Sequence, residues 1–225
     1  MEIVPDLMKT ELLHPVLTKY KCNNMKTFLI SIATLFSISI QAQEVLPLHS
    51  DKMRVSDGSY YKDLNNELNP YIGTWKGSWG DKTIFLELRK IKDPVTSKSG
   101  RTTYTDRVFG ERKIITANGN VIVDRITNFD ENNPEFFGPF TSWKDKKTKL
   151  LEFHPKDMCT AYVILDINFL NAEKTKLSLS SKSSLLSLGS PSAFDEGKCS
   201  KANDLKQGTN SNILNFPREI VLVKQ

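Results

Sequence analysis

From Tyr71 to the end of the chain, apolar and polar residues alternate with a period of two, and this pattern constrains the fold more than any other feature. In Lys82–Lys92, Ile84, Leu86 and Leu88 alternate with Phe85, Glu87 and Arg89. From Cys159 to Phe169, Ala161, Val163, Leu165, Ile167 and Phe169 fall on one face, with Asp166 and Asn168 on the other. Successive side chains of a strand point to opposite faces, so these segments read as half-buried β-strands. Tyr71–Ser78, Thr102–Phe109, Glu111–Ala117, Asn120–Phe129, Lys149–Phe153, Lys174–Ser181 and Arg218–Lys224 read the same way. Asn118-Gly119 is a strong two-residue hairpin signal. On that turn Ala117 pairs with Asn120, Ile114 with Val123 and Arg112 with Arg125.

Between the strands, Gly80-Asp81 marks a turn, and Asp93–Gly100 and Asp130–Gly138 read as loops. Serine is over-represented from Ser178 to Ser192; with Leu177, Leu179, Leu185 and Leu188 interspersed, this stretch reads as an edge strand followed by a loop. Upstream, Tyr60–Leu68 reads as one short helix with Asp57 or Ser59 as N-cap, stopped at Asn69-Pro70. Eight or nine strands with one helix predict an all-β fold. A single antiparallel up-and-down barrel is the arrangement that removes exposed strand edges.

The N-terminal part carries a different signal. Met25-Lys26 heads an uncharged run from Phe28 to Ile40. Its length lies within the roughly 7–15 residues of a secretory h-region and is short of the ~20 needed to span a bilayer. Ile40 and Ala42 fit the apolar-then-small pattern of a cleavage site. The expected organisation is a dispensable leader over 1–24, a signal peptide over 25–42, an N-terminal segment over 43–70 and a barrel domain over 71–225. The protein is then expected in the periplasm or outside the cell, with no membrane insertion after cleavage.

Three cysteines are present. Export removes Cys22 and leaves Cys159 and Cys199, an even number in an oxidising compartment, which predicts a disulfide between them. On the chain-entropy model, closing a loop of several tens of residues contributes about 4 kcal/mol. The formal net charge of +5 is spread over residues of alternating sign. That is the signature of a solvated surface rather than a nucleic-acid stripe.

Asn69-Pro70-Tyr71-Ile72-Gly73-Thr74-Trp75 resembles the opening of a lipocalin-like barrel, where a helical turn leads into Gly-x-Trp on the first strand. The resemblance implies that Gly73 and Trp75 are structural, with Trp75 closing the bottom of the barrel. Lys224, or less preferably Arg218, would be the basic residue packed across it. Avidin-like barrels open on a comparable motif, so it marks architecture more than ligand. The chain from Glu44 to Gln225 also resembles an uncharacterised secreted family of Gram-negative bacteria, a domain of unknown function. That resemblance lies in YYKDLNNELNPYIGTWKGSW, GERKIITANG, DRITNFDENNPEFFG, PKDMC and NFPREIVLVKQ, and it implies no activity.

No motif identifies a catalytic residue, a metal site or a cofactor. His49 and His154 have no ligand partners at metal-binding spacing, and no Gly-x-Ser-x-Gly elbow is present. Asp130, Asn132 and Glu135 lack the glycine and distal glutamate of a calcium loop, so a turn capped by Asx side chains is the better account. Trp79, Phe136, Phe137 and Trp143 are candidates for an aromatic platform for sugar or for a hydrophobic lip, with core packing expected for at least two of them. Arg112 and Arg125 are the candidate ligand-binding residues. If their face is the inner one, two guanidiniums converge beside Ile114, Val121 and Val123, suited to a carboxylate or sulfate. The alternative is an outer face, or neutralisation by Asp106, Asp124 or Glu87. The leading functional expectation is a non-enzymatic exported barrel that binds a small amphipathic or anionic ligand, or a partner at its rim. The alternatives are a secreted hydrolase or lyase whose carboxylates meet only in the fold, and an interaction or inhibitor module with a filled barrel.

Overall fold

The computed structural model describes residues 43–51, 55–142, 145, 147–156, 161–181, 187–188 and 215–225. The signal peptide, Trp143 and the Cys159–Cys199 disulfide lie outside the described residues.

Eight strands form a closed antiparallel barrel: β3 (Gly73–Trp79), β4 (Lys82–Thr96), β5 (Thr102–Thr116), β7 (Phe136–Thr141), β8 (Lys149–Phe153), β9 (Ala161–Phe169), β10 (Lys176–Ser180) and β12 (Glu219–Lys224). Each pairs with the next in chain order, β5 passing directly to β7, and β12 returns to β3 with Lys224 opposite Trp75. This is the all-β up-and-down barrel expected from the alternation. Four further short strands lie among the described residues: β1 (Val45–Pro47), β2 (Tyr60–Lys62), β6 (Val121–Asp124) and β11 (Ser187–Leu188). β6 pairs with β5, and β11 with β9.

The inward positions of the alternating segments meet as predicted by their period. Ile84, Leu86 and Leu88 of β4 are at most 1% exposed. They join Val108, Ile114, Leu151, Leu165, Leu177 and Leu222 in one hydrophobic cluster. Each such side chain contributes roughly 1.5–3 kcal/mol of transfer free energy on full burial.

Three readings of the sequence are corrected. Thr102–Phe109 and Glu111–Ala117 are one strand, β5, running through Gly110. A Cβ there would lie 2.5 Å from Leu88 Cδ2 and 3.1 Å from Phe136 Cβ, so this glycine marks close strand packing, not a break. Conversely, Phe136–Thr141, whose first three residues fall in the loop expected over Asp130–Gly138, is strand β7. Its register shifts between Phe137 and Phe140, and that irregularity accommodates the proline without a ladder bond.

The third correction concerns Tyr60–Leu68. Only a single 3-10 turn forms nearby, at Asn69–Tyr71, with Pro70 inside its first turn. Tyr60–Lys62 instead adds as β2 in parallel to β5, with β1 in parallel beyond it. Tertiary bonds outweigh local helix preference here. The Tyr60 hydroxyl donates to Asp106 Oδ1 at 2.6 Å, and burial together with that carboxylate pushes its phenol up to about 12. Asp63 Oδ1 and Oδ2 accept from the amides of Glu67 and Leu68, and the Asp63 amide donates to Asp106.

The β4–β5 hairpin is longer than the barrel needs. Its strands have 15 residues each, and β3 pairs with β4 only as far as Leu88. The remainder projects beyond the barrel wall and carries β2 and β1 on its β5 edge.

Candidate functional site

One end of the barrel is organised around Trp75. Its indole is fully buried, donates from Nε1 to the Tyr71 carbonyl at 2.7 Å, and lies against the ring of Phe169. Lys224 Nζ stands 5.3 Å from the indole centroid and donates to the Pro70 carbonyl at 3.2 Å. Gly73 sits at φ +125°, and a Cβ there would come within 3.2 Å of Lys224 Cε. The Gly-x-Trp segment therefore lets the lysine stem pass over the barrel end.

Near the other end lie the two arginines. Thr116 rather than Ala117 closes the turn between β5 and β6: its amide donates to the Asn120 carbonyl at 2.9 Å, leaving Ala117, Asn118 and Gly119 between them, with Gly119 at φ +82°. This puts Ile115 opposite Val121, one position out from the sequence reading. A bulge between Ile114 and Ile115 then restores Ile114 opposite Val123, and the Arg125 amide donates to the Arg112 carbonyl at 2.9 Å. Val121 pays the geometric consequence, ending 56% exposed rather than beside Ile114.

The face that carries Arg112 is the inner one, and Arg112 already has a carboxylate partner there. Arg112 is fully buried and neutralised by Glu135, not by Asp106, Asp124 or Glu87. Arg112 Nε donates to Glu135 Oε2 at 2.9 Å and Nη2 to Oε1 at 3.3 Å, and Nη1 donates to the Asn215 carbonyl at 2.8 Å. The guanidinium also stacks 4.8 Å from the Phe153 ring, within a trio of Phe136, Phe153 and Phe216. Arg125 is half-buried, its Nε enclosed without a hydrogen-bond partner among the described residues. Asp124 pairs instead with Lys113 at 2.8 Å, which holds its carboxyl below the usual range.

On the outer face of the same strand, Glu111 is also fully buried, covered by the segment between β6 and β7. Lys156 Nζ lies 2.7 Å from Glu111 Oε1 and 3.6 Å from Asp130 Oδ2. Burial pushes the Glu111 carboxyl up, opposed by Lys156 and reinforced by the nearby Glu135 charge. Between its ordinary 4.5 and that raised value, the folded chain keeps a proton that the unfolded chain has lost. This contribution to stability is complete below the ordinary value and is lost as pH rises through the folded one. Chemical denaturation across this window should show wild-type stability falling with rising pH. Glu111→Gln should flatten that slope; an unchanged slope would assign it to other groups.

The same covering segment shapes a groove of about 240 Å³ on the outside of the barrel. Arg107 and Asp93 of the hairpin form one wall, paired at 2.7 Å. Asn132, Asn133 and Pro134 form the other, with Phe109, Phe137 and His154 between them. Asp130 Oδ1 accepts from the amides of Asn132 and Asn133 at 3.1 and 3.3 Å, an Asx-type turn. Beside the groove the rings continue as a ladder from β7, past the end of β8, to β9. Phe140 meets Phe137 edge-on, Phe137 tilts on His154, and His154 stacks on Tyr162 at 4.9 Å and 6°. Arg89 lies 4.1 Å over Phe129 and fastens the covering segment to the hairpin.

The structure thus disperses the aromatic residues singled out in the sequence. Phe136 is core, Trp79 is half-buried with Lys82 over its ring at 4.4 Å, and Phe137 alone of the described three reaches the groove. His49 pairs with Glu67 and His154 with Glu152, at 3.0 and 3.1 Å. Arg107 and Asp93 were not identified as site residues, and Glu135 was weighed only for a calcium loop, not as the partner of Arg112. The one available signal was an acid in Asn-Pro-Glu-Phe-Phe, flanked by aromatics too apolar to leave it exposed.

No curated protein and no solved structure matches the chain. A match to a family of unknown function extends over residues 25–225, nearly the whole sequence. On that match, the chain belongs to the family of unknown function DUF6705.

Proposed function

We propose that this protein is exported and acts as a non-enzymatic binding module whose recognition surface lies outside its barrel. The observation that carries the reading is the contrast between interior and exterior. The inward positions are occupied by large buried aliphatics and aromatics, with the closed Arg112–Glu135 pair among them, whereas the outer groove presents polar groups to solvent. Ligand sites are typically concave and combine apolar walls with a few polar groups. The hydrolase or lyase alternative is less well served. Glu111 and Glu135 are near neighbours, but each is fully buried beneath a cation rather than facing a cleft.

Export is supported by the signal-like segment headed by Met25, the residue at which the family match begins. Intact mass of the protein secreted by its native host should show an N-terminus at Gln43 or within two residues of it. A cytoplasmic species retaining Met1 would overturn export. For binding, native mass spectrometry of protein from that host should show an adduct. It should survive the interior substitution Ile167→Val and be lost from Asn132→Ala/Asn133→Ala. The reverse pattern would place the ligand in the lumen.

A further inference from the structure

We propose that the outer groove binds a neutral pyranose unit; this rests on the outer-groove reading above and names its ligand class. Three features converge on that chemistry. First, the charges of the hairpin wall are already matched, because Arg107 Nη1 and Asp93 Oδ2 pair at 2.7 Å with side chains only 28% and 18% exposed. An anion entering would meet Asp93 and a cation Arg107, so a formal charge gains little there. Hydroxyl groups, which donate and accept at once, can bond to both members of the pair.

Second, the opposite wall offers carboxamides. Asn132 and Asn133 are exposed, and their side-chain amides make no hydrogen bonds among the described residues. Each carries two donors and an acceptor, the combination that reads a pair of adjacent hydroxyls. Their backbone amides are directed at Asp130, and Asp130 is in turn near Lys156, so the turn presenting them is tied down before a ligand arrives. Pre-ordering of this kind lowers the entropic cost of binding.

Third, Phe137 and His154, both half-buried, also line the groove, with Phe109 buried behind them at 6% exposure. A pyranose has a face of C–H groups as well as its rim of hydroxyls, and the C–H face suits an aromatic surface. The groove's 240 Å³ is below the roughly 300–1,000 Å³ of drug-sized pockets, which fits a single ring. A peptide adding as a strand is not favoured. Arg107 and Phe109 sit on β5, which pairs with β4 on one side and with β2 and β7 on the other.

The test uses the isotope-labelled chain and amide-detected NMR titration. The probes are the methyl glycosides of glucose, galactose, mannose and N-acetylglucosamine. Matched oligosaccharides form a second arm, and glucuronate, glucosamine and a capped dipeptide are the contrasting probes. At least one neutral glycoside should shift the Asn132 and Asn133 side-chain amides together with the Phe137 amide. Asn132→Ala/Asn133→Ala should weaken that binding by about tenfold, the loss expected for two neutral hydrogen bonds. Oligosaccharides binding much more tightly would assign the groove to a glycan chain, and equal affinities to free sugar. If the charged sugars or the dipeptide shift these amides and the neutral glycosides do not, the sugar assignment fails while the groove remains a binding site. If no probe shifts them and the native adduct survives the double substitution, both readings fail. Shifts that persist in a folded double-alanine variant would also overturn the proposal.

Discussion

Replacing Trp75 with alanine is expected to cost about 3–5 kcal/mol of folding stability, the range for large buried aromatics. The indole is fully buried, its Nε1 is bonded to the Tyr71 carbonyl, and its ring contacts Phe169. The substitution also removes the surface under Lys224, a cation–π contact of ~0.5–2 kcal/mol. Trp79→Ala provides the comparison. That ring is half-buried at the far end of β3 and should cost clearly less. Equal, small losses in chemical denaturation would remove Trp75 from its role as the plug of its barrel end.

Arg112 and Glu135 should give a comparable loss for a different reason. Both side chains are fully buried, so removing one leaves the other charged in a medium that cannot solvate it. Arg112→Leu or Glu135→Leu alone should cost about 3–5 kcal/mol, whereas the double replacement should recover much of the loss. Each also releases one backbone partner, the Asn215 carbonyl for Arg112→Leu and the Lys156 amide for Glu135→Leu, so the two losses should be similar. A double-mutant cycle measures the coupling, and additive losses would show that the pair is not energetically joined.

The barrel was legible in the sequence because period-two alternation reports directly on which side chains face inward. Its exceptions have physical causes. Gly110 and Gly138-Pro139 look alike as strand breakers, but one is demanded by close packing inside β5 and the other is absorbed by an irregularity in β7. Tyr60–Leu68 has local helical character, yet the bonds that decide its form come from Asp106, more than forty positions away. The candidate site was less legible still. The sequence placed Arg112 opposite Arg125 but could not supply Glu135, which reaches Arg112 only because the β6–β7 segment folds back over β5. The groove is likewise assembled from the hairpin, that segment and the end of β8, and no single stretch of the sequence contains its pattern.

The closure of the barrel by its first and last strands has a consequence for how the molecule comes into being. β3 and β12, the first and last strands of the barrel, pair through Trp75 and Lys224. A chain emerging N-terminus first can therefore complete the β3–β4–β5 ladder early, while the other edge of β3 stays unpaired until the final six-residue strand arrives. Unpaired edges template pairing with other chains. A chain cut before Glu219 would leave two such edges, on β3 and β10, the two that β12 covers by pairing.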